Sequence, residues 1–200
     1  MKNLSKKRCF VGLGGAGINS IEPFIKYEKN ADFLIIDNDA IIVDAKCRKI
    51  KTDLHDTNKY LNYFTLDREY VFIFGLSYAK DREKAGVALA RTIALFLKES
   101  KKDFTMIFTM PFYFELGSNR PKILSIKNEF QQLANKVFIV DLDTFRDSHG
   151  KQSISIMDQF HYMVWEKSGL SMKRGKIELV YEKIKQKIRM IFSFFMTISQ

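Results

Sequence analysis

The sequence predicts a Rossmann-like, three-layer α/β/α fold with a mostly parallel sheet. Short apolar runs alternate with helix-period segments about five times along the chain. The runs are almost continuously apolar, as strands buried on both faces are. The first of them feeds directly into a glycine-rich turn, the opening of a nucleotide-binding β-α unit.

Cys9-Phe10-Val11 is the first strand, and Gly12-Leu13-Gly14-Gly15-Ala16-Gly17 is the turn. Residues 18–27 read as the first helix, which Pro23 should shorten or kink because it lacks an N–H. Phe33-Leu34-Ile35-Ile36 is a buried-strand run ending in Asp37-Asn38-Asp39, and residues 44–68 are polar and weakly patterned. Val71-Phe72-Ile73-Phe74-Gly75 is the next strand. Residues 84–98 form the clearest helix, with Val87, Ala90, Ile93, Ala94 and Leu97 at helical spacing. A strand over 104–109 precedes the stretch MPFYFELGSNR, and 123–136 reads as an amphipathic helix. Val137-Phe138-Ile139-Val140 is the last strand, and 153–165 and 176–198 read as helices around a 169–175 turn. The expected organisation is a nucleotide-binding domain over 1–165 and a C-terminal helix over 166–200.

Composition narrows the class. Two hundred residues with 46% hydrophobic and 28% charged side chains describe a globular chain long enough for a substantial core. No apolar run approaches the roughly 20 residues a bilayer crossing needs. The basic start turns glycine-rich where a signal peptide needs an apolar core, so a cytoplasmic chain is expected. Cys9 and Cys47, without a CxxC, make neither a disulfide framework nor a zinc knuckle. The net charge of +10 raises the prior for an anionic partner, and the densest basic stretch is 167–189. No zinc-finger, RNA-recognition or helix-turn-helix signature accompanies it, so nucleic acid is not the expected partner.

Gly12-x-Gly14-x-x-Gly17 has dinucleotide-loop spacing, and Asp37 follows Gly17 by 20 residues. Glycines there let the backbone approach phosphates, and the following helix start supplies positive partial charge. An acidic residue closing the second strand could hold a ribose hydroxyl or order a metal-bound water. The pattern equally suits a bare tight turn, and it does not choose between a dinucleotide, ATP and GTP.

Four pieces read in order sharpen the choice. VGLGGAGINSI resembles the first phosphate loop of the FtsZ/tubulin family, with Asn19 in place of the family's Asn. LIIDNDA resembles its second loop, TMPFYFELGSNR its Pro-Phe-x-Phe-Glu stretch with one residue inserted, and VFIVDLDTF a later strand and loop. The resemblance spans about residues 8–165, the GTP-binding half. It implies that Gly12, Gly14, Gly15, Ala16 and Gly17 line phosphates, helped by Asn19. It implies Asp37 and Asp39 at the second loop, the latter near a magnesium ion and terminal phosphate. It turns Glu115 toward the ribose and Arg120 toward the base or phosphates. GTP or GDP is the implied ligand.

The departures are as informative. The family's Gly/Thr signature loop is replaced by Tyr78-Ala79-Lys80-Asp81-Arg82-Glu83-Lys84, whose side chains forfeit the glycine conformations of a phosphate cradle. The usual guanine-contacting Asn falls on Leu142, and a later Asp falls on Val164. No counterpart of the second domain, which activates hydrolysis in a neighbouring subunit, is recognisable. The resemblance therefore implies a catalytically reduced, division-related or cytoskeletal protein. Its partner would be itself or an FtsZ-like filament protein, with GTP binding retained at most and no GTPase activity.

An adenylyltransferase domain of the ThiF/MoeB kind is the competing reading. It accounts for GLGGAG and IIDND, with Arg48 and Lys49 in the right region, but leaves Pro111-Phe112-x-Phe114-Glu115 unexplained. Over 176–200, Ile177, Val180, Ile184, Ile188, Ile191 and Phe195 alternate with basic residues. That pattern fits a core helix or, alternatively, an interfacial membrane helix. Asp141, Asp143, Asp147 and His149 match no standard metal cage and read as a solvated loop. His55 and His161 stand alone, and Cys9 reads as buried in the first strand.

Overall fold

The computed structural model describes residues 7–25, 28, 31–37, 47–51, 58–76, 78–79, 82–83, 85–146, 161, 163–164 and 166–168. The chain divides into two units, Met1–Ser168 and Gly169–Gln200. The second unit, with the expected helix over 176–198, lies outside the described residues. Among the described residues no helix is long and apolar enough to cross a membrane.

Six parallel strands form one sheet: β1 (Arg8–Leu13), β2 (Asp32–Asp37), β3 (Cys47–Lys51), β4 (Glu69–Gly75), β7 (Phe104–Met110) and β8 (Lys136–Asp141). Their spatial order is β3-β2-β1-β4-β7-β8. A separate two-stranded antiparallel hairpin, β5 (Tyr78–Ala79) with β6 (Arg82–Glu83), follows β4. The helices are α1 (Gly14–Ile25), α2 (Asn58–Leu61), α3 (Ala85–Glu99), α4 (Tyr113–Leu116), α5 (Arg120–Leu133) and α6 (Asp143–Arg146).

The order reproduces the doubly wound arrangement, in which the chain runs outward from β1 to β3 and then returns to the other side of β1. The reversal lies between β1 and β4, which pair from Arg8↔Glu69 to Leu13↔Phe74. Alternation along each strand separates two apolar faces. On one face Val11, Leu13, Ile36, Tyr70, Phe72, Phe74, Met106 and Phe108 join Val87, Ile93 and Leu97 of α3 and Ile123, Ile126 and Phe130 of α5 in one buried cluster. On the other face Phe10, Ile35, Val71 and Ile73 are buried, as are Ile21 and Ile25 of α1. Helix α1 lies on this face, and its Gly17 sits directly against the carbonyl oxygen of Ile73. Three layers result, as expected from the sequence.

Several sequence expectations need correction. Helix α1 begins at Gly14, four residues before the expected Ile18, because the glycine turn is already its first helical turn. Helix α5 starts at Arg120, three residues early, with Pro121 in its first turn, where a missing N–H costs nothing. The polar 44–68 segment contains a sixth strand, β3, formed through its ladder with β2 rather than by apolar patterning. It also contains α2 and a 3-10 turn, Asn62–Phe64, whose Phe64 is fully buried. Of the helix expected over 153–165, the described residues 161, 163 and 164 are helical, as are 166 and 167, and the others lie outside the described residues.

Candidate functional site

In doubly wound sheets the crevice outside the carboxyl ends of the strands, where strand order reverses, is the natural ligand position. Here that crevice lies beyond Leu13 and Gly75. Two helices start beside it, α1 immediately after β1 and α3 after the β5–β6 hairpin.

Glycines bring these two starts together. Gly14 takes φ +65°, a left-handed conformation that other residues adopt only under strain. A methyl group on Gly14 would stand 3.2 Å from the Cα of Gly86, and one on Gly86 would stand 2.9 Å from the carbonyl oxygen of Leu13. Gly12 and Gly17 close the turn from beneath. A methyl on Gly12 would meet the Gly17 carbonyl oxygen and Ile21 Cδ1 at 2.9 Å, and one on Gly17 would meet the Ile73 carbonyl oxygen at 2.2 Å. Gly75 completes the packing, since a methyl there would lie 2.8 Å from Cβ of Ala16.

The predicted glycines thus divide into two roles. Gly12 and Gly17 are buried packing positions, whereas Gly15 is exposed and a methyl on it would have no neighbour within 4 Å. Ala16 and Asn19 are exposed on the first turns of α1, and Ser20 is buried, donating its hydroxyl to the Ala16 carbonyl at 2.7 Å. The N–H groups of Gly14, Gly15 and Ala16 belong to the first helical turn and have no intrahelical acceptors, the first such bond being that of the Gly17 N–H. They present donors and a positive partial charge to the crevice, which suits a phosphate.

Asp37 closes β2 opposite Lys51 of β3, at the same end of the sheet. Asp39 and Asn38 lie outside the described residues. Glu115 and Arg120 make their contacts within the turn after β7. The Glu115 carboxylate accepts from the Phe112 N–H at 3.1 Å, while the Arg120 guanidinium lies 4.7 Å from the Tyr113 ring centroid. That turn is pinned to the end of β8. Tyr113 N–H donates to Asp143 Oδ2 at 2.7 Å, Asp143 N–H to Asp141 Oδ1 at 3.0 Å, and Leu142 N–H to the Met110 carbonyl at 3.3 Å. Asp141 and Asp143 are thus loop-forming groups, and Asp147 and His149 lie outside the described residues. Among the described residues no three metal-ligating side chains converge.

Sequence reasoning missed Gly75 and Gly86. A signal existed for Gly86, because a glycine inside a helix costs about 1 kcal/mol against alanine and needs a packing reason. Where the Gly/Thr signature loop was expected to be lost, the backbone instead pairs Tyr78 with Glu83 and Ala79 with Arg82.

No sequence-family model matches the chain, and no curated protein matches its sequence. Solved structures do match by shape. An FtsZ dimer from M. jannaschii aligns with a TM-score of 0.65 at 17% identity, covering 82% of this chain and 53% of that one. TubZ of Clostridium botulinum phage c-st aligns with a TM-score of 0.55 at 12% identity, covering 79% and 58%. The PhuZ201 filament structure aligns with a TM-score of 0.53 at 16% identity, covering 88% and 56%. The chain therefore has the fold of the tubulin/FtsZ nucleotide-binding domain. It spans little more than half the length of the structures it matches.

Proposed function

We propose that the chain is a catalytically reduced FtsZ-like cytoskeletal protein. It holds a guanine nucleotide at the glycine turn, does not hydrolyse it, and acts through contacts with itself or with an FtsZ-like filament protein. The observation that carries this reading is the joining of the α1 and α3 starts by Gly14 and Gly86 at the β1–β4 reversal.

The N–H groups of Gly14, Gly15 and Ala16 would hold phosphate oxygens, with Gly15 giving the closest backbone approach. Asp37 would face the sugar end, and Asp39 would stand near a magnesium ion. A bound magnesium would offset phosphate charge and keep most of its ligands as water and phosphate oxygen.

Hydrolysis of a phosphoanhydride depends on positioning water and neutralising developing charge. A short hairpin with bulky, charged side chains in place of a glycine loop supplies neither by its backbone. The match to structures described as an FtsZ dimer and a PhuZ201 filament supports self-association as the mode of action.

The test is nucleotide identity and affinity. Nucleotide released from denatured protein is identified, and GTP, GDP and ATP are titrated calorimetrically with magnesium. Guanine nucleotide bound at micromolar affinity without phosphate release is the expected result. ATP preference with carboxylate-dependent pyrophosphate exchange would transfer the chain to the adenylyltransferase class. Rapid GTP hydrolysis would end the catalytically reduced reading.

A further inference from the structure

The main-chain carbonyls from Asn62 to Leu66 all turn toward side chains, at the end of the sheet where β4 and β7 begin, opposite the glycine crevice. The Thr65 hydroxyl donates to the Asn62 carbonyl at 2.9 Å, and the Tyr70 hydroxyl lies 3.2 Å from that of Tyr63 and 3.1 Å from that of Leu66. A single cation gathers the last three. Lys102 Nζ lies 2.8 Å from the Phe64 oxygen, 2.5 Å from that of Thr65 and 2.9 Å from that of Leu66. An ammonium has three N–H donors and no acceptor, so this cradle uses all of them.

Both halves of the cradle are built in. A short 3-10 turn leaves its last carbonyls without partners inside the turn, and the fully buried Phe64 anchors the turn to the core. On the other side, the chain leaves α3 through two bonds. Lys101 N–H donates to the Lys98 carbonyl at 3.0 Å, and Lys102 N–H to that of Leu97 at 2.9 Å. This helix ending needs a left-handed residue, a place glycine usually takes. Lys101 takes it with φ +53°, the only non-glycine residue with positive φ among the described residues. The strained residue immediately precedes the lysine that fills the cradle, and strain of this kind persists where the surroundings require it.

We infer that the Phe64, Thr65 and Leu66 carbonyls form a binding site for a primary ammonium group. Lys102 fills it in the native chain, and a free alkylammonium ion can fill it when that side chain is cut back. Three oxygens around one nitrogen match the donor count of an R–NH3+ group. A cation without N–H groups gains only charge attraction there. Thr65 and Leu66 are exposed, so the site is reached from solvent. The inference is independent of nucleotide binding, whose site lies at the other end of the strands.

The test is chemical replacement of the missing side chain. Lys102→Ala removes the amine and the chain that carries it, and n-propylammonium has the same length. The urea-unfolding midpoint of the variant is expected to fall below that of the native chain. Added n-propylammonium chloride should raise the variant's midpoint and then saturate. Tetramethylammonium chloride at the same concentration has equal charge and no N–H donor, and should not. The native chain, whose site is full, should show no such difference between the two salts. Equal responses of the variant to both salts overturn the inference. So does a variant whose midpoint matches the native one without added amine.

If Lys102→Ala does not fold, the native chain decides by amine acetylation with acetic anhydride. Lys102 must leave its three acceptors before it can attack the reagent, whereas its neighbour Lys101 is exposed. Peptide mass spectrometry should show Lys102 acetylated at least about tenfold more slowly than Lys101, the factor that one hydrogen bond to a charged group supplies. Equal rates at the two lysines overturn the inference.

Discussion

The Cα of Gly86, at the start of α3, lies where a methyl group on Gly14 would approach to 3.2 Å. Two helices from opposite faces of the sheet touch only because neither residue carries a side chain. The spacing predicts the first set of outcomes. Gly86→Ala drives a methyl to 2.9 Å from the Leu13 carbonyl oxygen, and Gly17→Ala drives one to 2.2 Å from that of Ile73. Backbone atoms yield less readily than a side-chain tip, so both changes destabilise, by about 1–3 kcal/mol for Gly86→Ala and more for Gly17→Ala. Urea unfolding of the two variants, with Gly17→Ala the weaker, checks the order.

Gly15 separates binding from folding. A methyl there meets nothing within 4 Å, and its φ is ordinary. Gly15→Ala is therefore expected to leave the unfolding free energy in urea within about 0.5 kcal/mol of native. It should nonetheless weaken guanine-nucleotide binding about tenfold, because the methyl occupies the space a phosphate would take. Calorimetric titration beside the unfolding curve reads both. Unchanged affinity would remove Gly15 from the phosphate site.

The contrast between these glycines was only partly legible in the sequence. The spacing of Gly12, Gly14 and Gly17 marks a β-α turn, and continuous apolar runs mark buried parallel strands, because both depend on local chemistry. Which glycine packs and which faces the crevice depends on Ile73, Ile21 and Gly86, which only the fold brings near. Strand β3 escaped notice for the same reason. Cys47-Arg48-Lys49-Ile50-Lys51 has little apolar content, and its strand state comes from the ladder to Phe33–Asp37 at the sheet edge. The α5 start at Arg120 and the α4 turn were not read from the sequence, although Pro121 is a local helix-start signal. The roles expected of Glu115 and Arg120 needed geometry, and their contacts lie in the 112–120 turn.

Phenylalanines measure the same distinction between core and surface. Phe130 is fully buried, with its ring 5.0 Å from that of Phe74 and 6.2 Å from that of Phe108. Phe130→Ala leaves a cavity between α5 and the sheet and should cost about 3–5 kcal/mol. Phe114→Ala removes an exposed ring and should cost less than about 0.5 kcal/mol. A large loss at Phe114 would mean that its ring supports the folded monomer, so thermal and urea unfolding of both variants decide the point.

At the opposite end of the sheet, burial sets the pH response. It pushes the Cys9 thiol from 9.0 up to about 11, although the nearby Arg68 guanidinium, itself paired with Asp32, pulls the other way. Burial likewise pushes the Tyr70 hydroxyl from 10.0 up to about 12, and that hydroxyl donates to the carbonyls of Tyr63 at 3.2 Å and Leu66 at 3.1 Å. Both groups are neutral acids held protonated by the fold. Between the unfolded and folded values the native state binds more protons than the unfolded chain, so stability falls as pH rises. The loss begins near pH 9 with Cys9 and continues past pH 10 with Tyr70, each contributing at most about 1.4 kcal/mol per pH unit. Urea unfolding at successive pH values should show this decline, and Cys9→Ala should remove the part between pH 9 and 11. In a Cys47→Ser background, the Cys9 thiol should react with a disulfide reagent at pH 8 only as fast as the protein opens. Rapid labelling of the native protein, or a stability that stays flat to pH 11, would show that the thiol is not held protonated beneath the sheet.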